Sequence, residues 1–281
     1  MSLQLGDDVR SGGIVTDRGT FAGLSCTPAT RSLPRGNVLL IPGFTGSKED
    51  FAELLPLLTA AGWAAATYDQ RGQFESLGRP DDDYSLSGFA ADAVEVSAAM
   101  FGREEQVHLV GHSFGGLVAA TAAVEHEHAW ASLTLMCSGP GGLQGDQAKD
   151  LLRAAEMAMD QGLEALYQAS AARDTQLGVE PPPAEIEEFL HRRYVANSPD
   201  GLAAIARLLV DTPDLTGSLA ALDLDVYVLR GENDDAWPHD VQDRLARDLG
   251  TTVVVVPDAA HSPAVEQPEA TRDALVRLWL G

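Results

Sequence analysis

A serine framed by glycines is the strongest chemical signal in this sequence of 281 residues. The segment 111–115 reads G-H-S-F-G; it follows the apolar run Val107 to Val110 and precedes a helical pattern. A strand-to-helix turn this tight leaves no room for side chains at its two glycines, and it holds the central serine in strained backbone with its hydroxyl projecting. We therefore predict that Ser113 is a nucleophile and that the amide of Phe114 faces the oxyanion that forms.

A serine hydroxyl needs a base to take its proton and a carboxylate to orient that base. His261 is the candidate base, because it lies in the loop after the last apolar run, Val253 to Val256. The candidate acids are Asp234 and Asp235, which lie in the loop after the run Val226 to Leu229. Both loops leave the carboxyl ends of predicted parallel strands, where such a site is expected. Composition does not separate the two aspartates.

A second donor to the oxyanion is expected from the loop after the apolar run Val38 to Ile41. This loop reads P-G-F-T-G at 42–46, and its first glycine lets the backbone turn close to the serine. We predict that the amide of Phe44 is this donor and that its ring lines the substrate pocket. Met136 and Trp237 are further candidates for the lining of the pocket.

These loops need a scaffold, and the chain supplies one by alternating short apolar runs with helical patterns, which is typical of a mostly parallel sheet with helices on both faces. Six buried strands are predicted at Val38 to Ile41, Ala64 to Tyr68, Val107 to Val110, Leu133 to Met136, Val226 to Leu229 and Val253 to Val256. An antiparallel hairpin, Gly13 to Val15 with Phe21 to Ser25, is predicted at the sheet edge. Helices are predicted at Asp50 to Ala61, Leu86 to Phe101, Gly115 to His126, His239 to Asp248 and Pro268 to Leu280.

The stretch 143–211 breaks this rhythm, because it contains three helical patterns and no strand candidate. We expect a doubly wound, eight-stranded α/β core formed by 1–142 and 212–281, with 143–211 inserted between strands six and seven. An insert at this place sits at the end of the sheet where ligands bind. It is therefore predicted to be a helical cap, or lid, over the site.

Four motifs make the chain resemble the α/β-hydrolase fold superfamily, in its lidded esterase, haloperoxidase-like and C–C hydrolase branch. They are P-G-F at 42–44, D-Q-R-G at 69–72, the serine motif at 111–115, and the paired loops G-E-N-D at 231–234 and H-S-P at 261–263. The resemblance implies that the triad acid is the aspartate at the fourth place of the G-x-x-D loop, which is Asp234. It also implies that the reaction uses no metal and no organic cofactor.

One segment departs from the pattern of these relatives. They usually read D-x-R-G-H-G-x-S, whereas this chain has Q-F-E-S at 73–76. Phe74 cannot take glycine-only conformations, so we expect the backbone of this loop to differ. Asp69 and Arg71 are expected to form a structural pair in the loop.

The identity of the nucleophile narrows the activity that the resemblance implies. Haloalkane dehalogenases and epoxide hydrolases resemble this fold but carry aspartate where Ser113 stands, so those activities are excluded. The leading hypothesis is a serine hydrolase that cleaves a small ester, thioester or lactone through an acyl-enzyme. A C–C bond hydrolase or synthase with the same triad, and a triad-bearing ligand receptor with little turnover, stay open as alternatives.

Composition and cysteine spacing limit the partners. With 19 Lys plus Arg against 42 Asp plus Glu, the formal charge of −23 argues against nucleic-acid or anionic-membrane partners. No window approaches the roughly 18 apolar residues of a membrane helix, and the first residues do not form a signal peptide, so a cytoplasmic enzyme is expected. Cys26 and Cys137 match no metal spacing. The sequence thus predicts a small-molecule substrate and no metal site, and it leaves the oligomeric state open.

Overall fold

The computed structural model describes residues 5–29, 33–176, 178 and 180–281. Its strands are β1 (Arg10–Thr16), β2 (Gly19–Cys26), β3 (Asn37–Ile41), β4 (Ala64–Tyr68), β5 (Val107–His112), β6 (Trp130–Met136), β7 (Val226–Gly231) and β8 (Val253–Val256). They form one sheet in the order β1-β2-β4-β3-β5-β6-β7-β8. The pairs β1–β2 and β2–β4 are antiparallel and the others are parallel. The predicted edge hairpin and the mostly parallel sheet are therefore confirmed.

The observed strands match the predicted apolar runs in place and differ in length. β4 and β8 have the predicted ends, and the other strands extend beyond them. In β5, for example, Gly111 and His112 continue the parallel ladder opposite Leu135 and Met136 of β6. The ladder is made by backbone groups, so it does not stop where apolar side chains stop.

Helices cover both faces of this sheet. They are α1 (Leu54–Ala60), α2 (Leu86–Phe101), α3 (Phe114–Glu125), α4 (Gly145–Gln161), α5 (Leu163–Gln176), α6 (Ala184–Val195), α7 (Pro199–Asp211), α8 (Thr216–Leu219), α9 (His239–Asp248), α10 (Pro263–Glu266) and α11 (Pro268–Leu280). Along β3, Leu39 and Ile41 pack in one apolar cluster with α2 and α3, while Val38 and Leu40 pack in the other with α1 and α11. Burial on both faces explains why central strands such as β3 and β4 are unbroken apolar runs. The edge strand β8 corrects the prediction of a buried strand, because only its last residue, Val256, is buried.

The predicted first helix, Asp50 to Ala61, is shorter in the structure. A 3-10 turn at Lys48–Phe51 comes first, and α1 begins only at Leu54. A continuous helix would need the amide of residue 56 to donate to the carbonyl of residue 52, but Pro56 has no amide hydrogen. The first turn of α1 tolerates the proline, because amides in the first turn of a helix have no acceptor within the helix.

In the described part of 143–211, the structure has four helices, α4 to α7, and not the three helical patterns predicted. The extra break lies at Gly162, which has φ 85° and separates α4 from α5. A one-residue break leaves the helical periodicity on both sides almost in phase, so it is hard to see in the sequence. We call α4 to α7 the helical insert. Among the helices of the described residues, none is long and apolar enough to cross a membrane.

Candidate active site

The turn from β5 into α3 presents Ser113 in strained backbone, with φ 54° and ψ −120°. Its amide donates to the carbonyl of Met136 at 2.9 Å, and its carbonyl accepts from the Ser138 hydroxyl at 2.8 Å. A Cβ at Gly111 would lie 2.2 Å from the Gly115 carbonyl oxygen, and one at Gly115 would collide with the end of β3. Both glycines are thus required by space, as the sequence predicts.

His261 and Asp234 meet at the carboxyl ends of the last two strands. The Nδ1 of His261 lies 2.8 Å from the Oδ1 of Asp234. The second carboxylate oxygen accepts from the Nε2 of Gln242 at 2.9 Å, and the Ala236 amide donates to Oδ1 at 3.2 Å. Asp235 is exposed to solvent. The structure therefore brings Asp234, and not its neighbour, to the histidine.

The surroundings of Asp234 keep it ionised. Burial opposes its ionisation, but the hydrogen bond and charge of His261, with the donors from Gln242 and Ala236, outweigh burial and hold the pKa of Asp234 below its ordinary value. A carboxylate oxygen only accepts, so the Nδ1 of His261 carries the proton in this contact. In the neutral ring the Nε2 is then left with a free lone pair, which is the form that a general base needs.

The main chain around His261 is held on both sides. The Nε2 of His112 donates to the carbonyl of His261 at 2.6 Å. The carboxylate of Glu266 accepts from the amide of Ser262 at 2.9 Å and from the amide of Ala260. Burial first, and then the charge of His261, lower the pKa of His112 to about 4. His112 is therefore a neutral donor across the physiological range.

The loop after β3 lies directly beside the serine. A Cβ at Gly43 would be 3.0 Å from the Cβ of Ser113, so only glycine lets the loop pass this close. Within the described chain, the amide of Phe44 makes no backbone hydrogen bond. Phe114 is the first residue of α3, where an amide has no acceptor within the helix. Both predicted oxyanion donors are thus available. The Phe114 ring itself is fully buried, edge-on to Phe89.

Ser113 and His261 line a common cavity of about 430 Å³. The rest of its wall is mainly apolar and comes from the core loops and from the helical insert: Phe44, Leu143, Leu151, Ala154, Leu209, Ala236 and Trp237, with Gln147, Asp150 and Arg173. Phe44 and Trp237 therefore lie where the sequence places them. The helical insert thus contributes to the wall of the cavity that contains Ser113.

Met136 does not lie in this wall, which corrects the prediction that it lines the pocket. Its side chain is fully buried in the core cluster that contains Val110 and Leu229. The neighbouring Leu135 packs in the cluster on the other face of the sheet. Successive side chains of a strand point to opposite faces. In an apolar run that is buried on both faces, the sequence does not show which residue points towards the site.

The fold also assembles a group that cysteine spacing does not predict. The ligand atoms of His112, Cys137 and His261 lie within 4.8 Å of one another. They do not fit a metal ion, because His112 uses its Nε2 on a carbonyl and burial raises the pKa of the Cys137 thiol well above its ordinary value. The amide of Gly231 also donates to this sulfur at 3.4 Å. These three side chains therefore do not form a metal site.

Phe74 adopts a positive φ of 41°, in the left-handed region. The left-handed region is open to residues other than glycine at a cost in free energy, and packing offsets that cost here. The Phe74 ring meets Phe189 of α6 edge-on at 5.9 Å between centroids, and the Nζ of Lys48 lies 4.7 Å from its centroid. Phe74 thus contacts the helical insert and not the cavity.

Asp69 and Arg71 are structural, as expected, but they do not pair with each other. Asp69 accepts from the Nζ and the amide of Lys48 at 2.9 and 2.7 Å. Arg71 donates to the buried carboxylate of Asp92 at 2.7 and 2.8 Å. The two residues therefore attach their loop to different elements, the turn after β3 and helix α2.

Sequence reasoning missed Gln242, which supports Asp234. It lies on α9, on the same stripe as the buried Leu245 and Ala246, and is itself fully buried. A polar residue on the apolar stripe of a helix needs a hydrogen-bonding partner inside the protein. That signal was present in the sequence, although it does not name the partner.

A model of the alpha/beta hydrolase family matches residues 38–274 of the chain. Among curated proteins, RutD of Variovorax paradoxus (strain S110), a candidate carbamate hydrolase, is 36% identical over 99 residues. RutD of Caulobacter vibrioides (strain NA1000 / CB15N) is 33% identical over 99 residues. Each alignment covers 35% of this chain and 36% of the relative, so the chain spans about a third of the length of these curated relatives.

Similar solved structures cover nearly the whole chain. A thermophilic esterase from Thermogutta terrifontis is 25% identical with a TM-score of 0.76, covering 96% of this chain and 98% of that chain. The enol-lactonase from Burkholderia xenovorans LB400 is 17% identical with a TM-score of 0.76, covering 96% and 100%. A bromoperoxidase from Bacillus anthracis is 16% identical with a TM-score of 0.77, covering 97% and 100%. The last two likenesses concern the fold alone.

Proposed function

Because this chain belongs to the alpha/beta hydrolase family, we propose that it is a serine hydrolase that cleaves small esters, thioesters or lactones through an acyl-enzyme. Ser113 is the nucleophile and His261 is the general base. Asp234 orients the imidazole and stabilises its protonated form. The observation that carries the proposal is the 2.8 Å contact between His261 and Asp234 at a cavity that also contains Ser113.

The first half of the reaction forms the acyl-enzyme. The hydroxyl of Ser113 attacks the acyl carbon while its proton moves to the Nε2 of His261, and Asp234 stabilises the imidazolium. The negative charge on the acyl oxygen is met by the amides of Phe44 and Phe114, which have no backbone acceptor of their own in the described chain. The intermediate then collapses, and His261 returns its proton to the departing alcohol or thiol.

The second half reverses these roles with water. His261 takes a proton from water, the hydroxide oxygen bonds to the acyl carbon, and the same two amides bind the new oxyanion. When the bond to Ser113 breaks, the proton on His261 goes back to the serine oxygen. The carboxylic acid then leaves and the enzyme is regenerated. All atoms and protons of the reaction are accounted for without a metal or an organic cofactor.

The cavity supports a small substrate with an apolar acyl part. About 430 Å³ is the size of a pocket for a small molecule, and most of its wall is apolar. We propose that the insert at 143–211 is a cap on a core made of 1–142 and 212–281, because Leu151 of α4 and Leu209 of α7 line the same cavity as Ser113. The cap would keep bulk solvent out of the cavity while admitting the single water molecule that deacylation consumes.

The same wall favours esters over carboxylate-bearing diketones, which a C–C hydrolase would take. Arg173 is the arginine of the insert that reaches the cavity, and its guanidinium lies 3.2 Å from the carboxylate of Asp150. A cation that is already paired offers less to a substrate carboxylate. The name of the RutD relatives adds carbamates to the acyl classes that should be assayed.

Labelling and turnover together test this proposal. A fluorophosphonate probe should label the protein, and the label and the hydrolysis of p-nitrophenyl butyrate should both be lost in Ser113→Ala. Ser132→Ala is the matched control, because Ser132 is a buried serine outside the cavity and bonds to His108. Retained turnover in Ser113→Ala would contradict the triad mechanism. Labelling without turnover of any ester, thioester, lactone or carbamate would favour a receptor, and turnover of a vinylogous diketone alone would favour C–C cleavage.

A further inference from the structure

Two buried glutamines hold the loop that carries Phe44. The Nε2 of Gln70 donates to the carbonyl of Pro42 and the Nε2 of Gln73 donates to the carbonyl of Gly43, each at 2.9 Å. Both side chains are almost completely buried, and within the described chain neither Oε1 has a hydrogen-bond partner. A buried amide oxygen without a partner is unfavourable. The hydrogen bonds that the two NH₂ groups donate are therefore what favours these buried positions.

The two accepting carbonyls differ in what lies at the other end of their peptide groups. The carbonyl of Gly43 and the amide of Phe44 belong to one planar peptide group, so its oxygen and hydrogen point in opposite directions. The hydrogen is the proposed oxyanion donor. We propose that Gln73 is a positioning residue of the oxyanion hole, which aims the Phe44 amide at the acyl oxygen by binding the opposite end of the same peptide. This inference rests on the proposed function.

The hydrogen bond acts in two ways. The Gly43 carbonyl also accepts from the amide of Gly46 at 3.1 Å, so the peptide cannot rotate without losing two hydrogen bonds. A donor on the carbonyl also polarises the peptide and makes its amide hydrogen a better donor, since hydrogen bonds in a chain strengthen one another in a low-dielectric site. The orientation of the Gln73 amide is fixed by chemistry, because a carbonyl oxygen cannot donate to the Oε1.

The backbone of the 69–76 loop explains how Gln73 reaches this carbonyl. The amide of Gln73 donates to the carbonyl of Gln70 at 2.8 Å, and the amide of Ser76 donates to the carbonyl of Gln73 at 2.9 Å. Between them Phe74 takes the left-handed conformation, and Phe189 of the insert packs against its ring. The strained turn thus directs the Phe74 side chain to the insert and the preceding side chain, that of Gln73, back to the oxyanion loop.

Gln70 makes a matched control possible. It is the same residue type, equally buried, and it makes the same bond of the same length one peptide earlier. The peptide that it binds carries the amide of Gly43, which the mechanism does not use. If the glutamines only stabilise the loop, their loss should have equal effects. If Gln73 acts on the Phe44 amide, the two variants should differ in catalysis and not in stability.

The experiment compares Gln73→Met with Gln70→Met, since methionine keeps the length and removes the donor. We expect the melting temperatures of the two variants to fall by similar amounts. Gln73→Met should lose about tenfold in kcat with KM changed less than about twofold, because a transition-state interaction is weakened. Gln70→Met should keep kcat within about threefold. An alkylboronic acid, whose tetrahedral serine adduct places an oxygen in the oxyanion hole, should bind Gln73→Met more weakly by the same factor as kcat falls.

Equal kcat losses in the two variants, or a Gln73→Met enzyme with unchanged kcat, would overturn the inference. If Gln73→Met does not fold, Gln73→Asn replaces it, because the shortened amide cannot reach the carbonyl while its polarity is retained; an unchanged kcat there would be equally decisive against the inference. These results are separable from the proposed function. Ser113→Ala decides whether the serine mechanism exists, and Gln73 is judged only against wild-type turnover.

Discussion

Two loops meet at Ser113, and different chemistry holds each of them. The carbonyls of the oxyanion loop accept from neutral groups, the amides of Gln70 and Gln73 and one backbone amide. The loop of His261 is held by ionisable groups, namely Asp234 on the ring and His112 and Glu266 on the main chain. A neutral donor keeps its strength over a wide pH range, whereas an ionisable one does not. The base side of the site should therefore carry the pH dependence.

Asp69 is an ionisable group close to the oxyanion side. Asp69 accepts from the amide of Lys48 at the end of that loop, and burial, opposed by the charge of Lys48, raises the pKa of Asp69 to about 6. It does not touch the Gly43–Phe44 peptide. The proposed difference in pH dependence between the two loops can thus be tested by changing Asp69 on the oxyanion side and the triad on the base side.

The largest effect is expected at the acid of the base side. Asp234→Asn should lower kcat/KM by about 10³- to 10⁴-fold, because the imidazole loses its orientation and the charge that stabilises imidazolium. Asp235→Asn is the control, since its side chain is exposed and should change kcat/KM less than about twofold. The measurement is steady-state hydrolysis of p-nitrophenyl butyrate by variants with equal melting temperatures. If Asp235→Asn lowers kcat/KM more than Asp234→Asn does, the triad acid is Asp235 and not Asp234.

The difference between the two loops also explains which parts of the site could be read from the sequence. Ser113, Phe44 and His261 each lie in the first turn or loop after a strand, so each is indicated by one local pattern, an apolar run that ends in a polar or glycine-rich loop. Asp234 needed the resemblance, because a neighbouring aspartate satisfies the same local pattern. Local patterns therefore predicted the sheet and the residues at its carboxyl edge.

The supporting contacts could not be predicted in this way. His112 reaches a carbonyl 149 positions away, and Gln73 reaches one 30 positions away. Nothing in either local sequence names the partner, which depends on how the loops pack in three dimensions. The contact between Phe74 and Phe189 could not be predicted for the same reason, because Phe189 belongs to the insert and lies far from Phe74 in the sequence.

A second prediction concerns the pH profile, which should show one acid limb that belongs to the base side. Activity needs neutral His261, so kcat/KM should fall by up to about tenfold for each pH unit once the ring is protonated. His112 does not contribute near neutrality, because its pKa is about 4, and the pKa of Asp234 is held below its ordinary value. The measurement is kcat/KM from pH 5 to 9, before and after dialysis against EDTA.

Asp69→Asn is the control for this profile, and Glu49 and Glu75 remain as partners of Lys48 in that variant. We expect the acid limb to stay at the same pH and the rate to be insensitive to the chelator. A limb that disappears in Asp69→Asn would place the titration on the oxyanion side and break the comparison. Loss of activity that added metal restores would contradict a mechanism built from side chains and amides.

The smallest expected effect is on the free energy of unfolding at low pH, and it concerns two histidines of β5. Measuring it separates a loss of activity from a loss of structure. Burial lowers the pKa of both His108 and His112 to about 4, with the charge of His261 adding to the effect on His112. The unfolded chain takes up a proton at each near the ordinary value of about 6.5. Their contribution to stability is thus complete above pH 6.5 and is lost as the pH falls towards 4, on the order of 1–3 kcal/mol for each.

His108 tests this away from the site, because it bonds to Ser132 and stacks on Trp279. We expect the wild-type free energy of unfolding to fall between pH 7 and pH 5, and His108→Gln to be less stable at pH 7 but to lose less of its stability on acidification. Urea titrations at the two pH values measure both quantities. The exposed His126→Gln is the matched control and should follow the wild-type slope. If His108→Gln also follows that slope, the histidine stays protonatable in the fold, and the acid limb of activity would have to be separated from unfolding by other means.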